Sequence, residues 1–86
     1  MVKKEYKLLE SAYLGSKNIR FEDMVRLVQA FGFRLSRVKG SHHIFVHPRI
    51  PEIVDLQKVK GQAKPYQIRQ FLSLVETYNM TMGGEE

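Results

Sequence analysis

The chain has 86 residues, of which 43% are hydrophobic, with no cysteine and a formal charge of +5. That length holds one small domain and leaves no room for a second. The missing cysteines exclude a disulfide framework, thiolate metal ligands and a thiol nucleophile, and the absence of an apolar run of signal or membrane-spanning length reads as a soluble, cytoplasmic protein with no membrane partner.

In chain order, Tyr6, Leu9 and Tyr13 fall on one stripe of a helix spanning Lys3 to Tyr13, ended by Gly15. Residues 1–18 therefore read as a helical extension. Its exposed stripe would serve a homodimer or, more simply, cover part of its own domain. From Phe21 the spacing of Met24, Leu27, Val28 and Phe31 is that of an amphipathic helix, with Glu22 and Asp23 in the first turn and Gly32 as a left-handed cap.

The period then changes to two. Phe33 and Leu35 alternate with Arg34 and Ser36. After a turn at Lys39 to Ser41, Ile44 and Val46 alternate with His43, Phe45 and His47, predicting a β-hairpin. A third strand, Glu52 to Gln57, follows a turn at Pro48 to Pro51. Residues Lys58 to Lys64 read as a basic loop, and Pro65 opens a closing helix with the stripe Ile68, Phe71, Leu72 and Val75. The domain thus runs over residues 19–79, with 80–86 as a frayed tail.

The predicted fold is α+β: an α-β-β-β-α unit with a three-stranded antiparallel sheet, two helices on one face, and an added N-terminal helix. If Phe33, Leu35, Ile44, Val46, Val54 and Leu56 face the helices, the pleat turns Arg34, His43, Phe45 and His47 onto the open face and leaves His42 inside. Arg34, Arg37, Lys39, Arg49, Lys58, Lys60, Lys64 and Arg69 meet only Glu52 and Asp55 over the same stretch. Such a basic surface favours a polyanion or an acidic protein.

The segments Gly32-Phe33, Arg37 to Pro48 ("RVKGSHHIFVHP") and Lys58 to Pro65 ("KVKGQAKP") resemble the HicA family of bacterial toxins over roughly residues 21–78. The resemblance implies a double-stranded-RNA-binding-like fold, cleavage of messenger RNA without a metal or other cofactor, and a HicB-like antitoxin as partner. It also implies a catalytic histidine in a Gly-Ser-x-His or Gly-Ser-His segment, which carries over onto His43 and His42 respectively. Where many members carry Pro-x-His on the third strand, this chain has Asp55-Leu56-Gln57.

An imidazole can carry a proton in either direction near neutrality, and lysine or arginine can stabilise the charge developing on a phosphate. On the expected pleat His43 is the proton carrier, with Phe45 as a stacking platform for a base. Arg34, Arg37, Lys39, Lys58, Lys60 and Lys64 join Gly40 and Ser41 of the turn as RNA-binding residues. His47 lies about 13 Å along the strand from His43, too far to serve the same phosphate. The pair also has a spacing that suits zinc on a helix but not on a strand. RNA binding without cleavage, and a protein-interaction domain, remain as alternatives on these residues.

Overall fold

The computed structural model describes residues 3–15 and 18–82. Its elements are α1 (Lys3–Tyr13), α2 (Phe21–Ala30), β1 (Arg34–Lys39), β2 (His42–His47), β3 (Ile50–Val59), β4 (Gln62–Ala63) and α3 (Pro65–Thr77). The strands form one antiparallel sheet in the order β1-β2-β3-β4. The fold is α+β and consistent with the double-stranded-RNA-binding type, with one strand more than expected. That strand, β4, lies in the segment read as a basic loop. Lys60 and Gly61 both take positive φ, 53° and 81°, and make a two-residue hairpin turn that returns the chain against the end of β3.

The core is built where the helical stripes meet β2 and β3. Met24, Leu27 and Val28 of α2, Ile68 and Phe71 of α3, and Phe33, Phe45, Val54 and Leu56 are all buried. Phe71 stacks edge-on against Phe31 and Phe33, at 5.5 and 5.9 Å between ring centroids. Gly32 ends α2 at φ 96°, and a Cβ there would come within 2.9 Å of His47 Nε2. The position thus combines a left-handed backbone with a close approach, and only glycine meets both conditions.

Phe45, expected outside, is 1% exposed, while Ile44 and Val46 are only partly buried. The pleat of β2 is therefore inverted relative to the sequence expectation. Packing explains the choice: fully burying a phenylalanine ring is worth about 1.5–3 kcal/mol, and α2 and α3 already present rings and branched chains to receive it. Register carries the inversion across the sheet, because Phe45 pairs with Val54 and His43 with Leu56, while His42, Ile44, Asp55 and Gln57 share the opposite face.

Leu35, expected to face the helices and be covered, does lie on their side but is 48% exposed, because β1 overhangs the helical layer. A bulge between Leu35 and Arg37 lets Leu35 and Val38, three apart, fall on one face. The tail also differs from expectation, while the extension takes the simpler of its two readings. Ala12 of α1 is buried with the core, Leu8 and Leu9 pack against it, and Met82 is 2% exposed. Thus α1 covers its own domain, and the segment through Met82 is tied down rather than frayed; residues 83–86 lie outside the described residues.

Replacing Phe45 by alanine should lower stability by about 3–5 kcal/mol, as for a core phenylalanine, measured by urea unfolding. A loss under about 1 kcal/mol, as for a surface ring, would contradict the inverted pleat.

Candidate nucleic-acid interface and histidine site

Two local devices set the site. Gly40, at φ 62°, begins a two-residue turn that pairs Lys39 with His42, so both side chains leave the same face of the sheet. The β3–β4 hairpin is hydrogen-bonded to the segment before α2, through Phe21 N–H to the Gly61 carbonyl and Ala63 N–H to the Ile19 carbonyl, each 3.0 Å. This fixes the start of α2 and sets the Phe21 ring over the helix side of β2.

His42 stands on the open face. Its Nδ1–H donates to Asp55 Oδ2 at 2.7 Å, and the two side chains remain 45% and 31% exposed. An aspartate that accepts at Nδ1 selects the tautomer whose other nitrogen, Nε2, carries the lone pair. Arg37, Lys39, Gly40, His42 and Ile44 line an open depression of about 490 Å³. An imidazole and two cations thus border one concave surface.

The second carboxylate oxygen, Asp55 Oδ1, is buried without a hydrogen-bond partner among the described residues. An unsatisfied buried acceptor costs about 1–3 kcal/mol, more for a charged group, whereas a half-exposed ion pair returns at most about 1 kcal/mol. The His42–Asp55 pair is therefore not explained as a stability device. Beside it, Gln57 Nε2 donates to Ser41 Oγ at 3.3 Å, and Gln57 exchanges two hydrogen bonds with buried Gln67 of α3, at 2.7 and 3.0 Å.

His43 turns the other way. Its ring meets Phe21 edge-on at 4.8 Å, and its Nδ1–H donates to the Ser41 carbonyl at 3.2 Å. Lys58 lies on this same helix side. Its ammonium donates to Glu22 Oε2 at 2.9 Å and sits 6.0 Å from the Phe21 ring centre. That hydrogen bond is the main cause holding the Glu22 carboxyl below its ordinary pKa. His47 is occupied structurally: its ring packs on Phe33 at 5.1 Å, and its Nδ1 accepts the Arg49 N–H at 3.1 Å. It borders a separate concavity of about 520 Å³ between Phe31, Arg49 and Tyr78, at the far end of β2 from His42.

The structure thus brings Arg37, Lys39, Gly40, Ser41 and His42 together. Arg34 shares their face farther along β1. Phe45 is removed from it by burial, Lys58 by its bond to Glu22, and Lys60 and Lys64 stand on the β3–β4 turn and at the N-cap of α3. In the sequence Asp55 stands as one of two acids in a basic stretch and as part of the departure from Pro-x-His. Its position opposite Ile44, diagonal to His42, is what gives it a role.

Asp55→Asn should disturb the tautomer of His42. Imidazole nitrogen shifts should report Nδ1–H in the parent chain and move toward the Nε2–H form in the variant, with the backbone amide spectrum elsewhere unchanged. An unaltered His42 signal would mean that the carboxylate does not orient the ring.

Among the described residues, no helix is long and apolar enough to cross a membrane. No curated protein matches the sequence significantly. The sequence profile described as the HicA toxin of bacterial toxin–antitoxin systems matches residues 21–75, from the first residue of α2 into α3, and so takes in the hairpin, His42, His43 and Asp55 while leaving α1 outside. The chain belongs to the HicA family of bacterial toxin–antitoxin toxins.

Proposed function

We propose that the chain is an endoribonuclease that cleaves messenger RNA in the cytoplasm without a metal, with His42 as proton carrier, and that its antitoxin restrains it. The observation that carries this reading is the short bond from Asp55 to His42, on an open sheet face bordered by Arg37 and Lys39.

RNA supplies its own nucleophile. His42 Nε2 takes the proton of a 2′-hydroxyl, and the 2′-oxygen attacks the adjacent phosphorus. The bond from phosphorus to the 5′-oxygen breaks, leaving a 2′,3′-cyclic phosphate, and the leaving oxygen is protonated by solvent. Arg37 and Lys39 stabilise the added negative charge on the phosphorane, and Asp55 stabilises the imidazolium formed when His42 gains its proton. Asp55 is a positioning residue and touches no reacting atom.

This reading moves the chemistry from His43 to His42. His43 faces Phe21, on the opposite side of the sheet from Arg37 and Lys39. Gly40 and Ser41 act through the turn: the glycine permits the positive φ, and the serine hydroxyl anchors Gln57. Removal of Phe45 from the surface leaves RNA held chiefly through its phosphates, so affinity should fall steeply with salt.

The test is cleavage of single-stranded RNA in a chelator by the parent chain and three variants. His42→Ala should lose about a hundredfold or more in rate, the usual worth of a general acid or base. Asp55→Asn should lose at least about tenfold. His43→Phe, which keeps a ring against Phe21, should stay within about threefold of the parent. Intact RNA with the parent chain would remove the nuclease reading. Cleavage lost in His43→Phe but kept in His42→Ala would return the role to His43.

A further inference from the structure

The sheet has two edges, and the fold treats them differently. The C-terminal end of the β3 edge is closed by β4 at Lys58 and Val59, and next to them by Gln67 of α3. The Gln67 side-chain oxygen accepts the backbone N–H of Gln57 at 2.7 Å. On β1, all six residues from Arg34 to Lys39 are exposed, and no described strand pairs with its outer side. An uncovered strand presents a ladder of unpaired N–H and C=O groups about 20 Å long, which is a template for another strand.

The two faces of this edge are chemically distinct. The register puts Arg34, Arg37 and Lys39 on the open side, opposite Val46, Ile44 and His42. It puts Leu35 and Val38 on the helix side, opposite Phe45 and His43, where they are 48% and 53% exposed. The bulge between Leu35 and Arg37 produces this separation, since without the extra residue Leu35 and Val38 would fall on opposite faces.

We propose that the outer edge of β1 receives an extended strand from a partner protein, the antitoxin that family membership implies. Alternate side chains of that strand are acidic, lying against Arg34, Arg37 and Lys39, and the intervening ones are apolar, lying on Leu35 and Val38. Main-chain hydrogen bonds supply the attachment and the two side-chain rows supply the selectivity. A second copy of the chain does not fit, because pairing β1 with itself sets three cations against three cations. RNA does not fit either, because it offers no match to the backbone ladder or to the two apolar side chains. A docked strand would engage the Arg37 and Lys39 side chains and wall off the depression that holds His42. This inhibitory consequence, unlike the docking itself, rests on the RNA-cleaving reading.

The experiment uses the full chain, isotopically labelled, and a capped peptide of about eight residues in which glutamate and valine alternate, enough to span the strand. Two further peptides carry N-methyl groups on every second residue, each blocking one of the two hydrogen-bonding edges. The parent peptide should shift the amide signals of Arg34 to Lys39 and slow their hydrogen exchange. One N-methylated peptide should bind and the other should not. Arg37→Glu and Val38→Ser should each weaken binding by about tenfold or more, the first in a salt-dependent way. No binding at about 1 mM, shifts centred on α1, or equal binding of both N-methylated peptides would overturn the proposal. So would a dimer of the free chain that Val38→Ser abolishes. Binding is read without RNA, so a failed nuclease assay leaves the docking result standing, and failed docking leaves the cleavage result standing. A bound peptide that leaves cleavage by the active chain unaltered would overturn the inhibitory part alone.

Discussion

Burial of the Phe45 ring is the constraint on which the rest of the site depends. β2 is a short central strand with side chains that could satisfy a core on either face, and a one-residue change of parity would exchange every one of them. Once Phe45 enters the space between α2 and α3, His43 and His47 must follow it to the helix side, where Phe21 and Phe33 receive their rings. His42 is then left outside with Asp55, Arg37 and Lys39. The chemistry of the open face is thus decided by packing on the other one.

Apart from β4, the elements themselves were legible. The helical stripes of α2 and α3, the cap at Gly32, the proline at the start of α3 and the turn at Gly40 each have a local cause that acts whatever the tertiary context. The parity of β2 was not legible from alternation alone, because Ile44 and Val46 are as apolar as Phe45 and no polar row marks the outside. The two-residue turn carried a usable signal: it pairs Lys39 with His42, and a basic side chain on a small sheet seeks the open face. Reading Arg34 and Ser36 as the outward row concealed it. The bulge in β1 breaks the simple alternation there, so the rows before and after Ser36 belong to different phases.

Asp55 shows a second limit of linear reading. Its partner is 13 positions away and on another strand. Only the β2–β3 register makes the two neighbours, so in the sequence it stands as one acid in a basic half. The same holds for Gln67, whose side chain substitutes for a missing strand partner at Gln57. Met80 and Met82 escaped for a different reason: a short apolar pair beside glycines and acids looks like a tail until the core has a gap for it to cover.

If the chain cleaves RNA as proposed, the arrangement also bears on how fast it can do so. With His43 and His47 turned to the helix side, one imidazole would remain on the open face for two proton transfers. A positioned general acid or base contributes about 10² to 10⁴ in rate, so leaving one transfer to solvent forgoes a factor of that order. What the open face would retain is the electrostatic part, two cations beside a bound phosphate, which needs no proton inventory. The same two cations define the charged row of the uncovered β1 edge. Substrate and an acidic partner strand would therefore compete for one set of charges, and inhibition would follow from occupancy alone, with no change of conformation in the toxin.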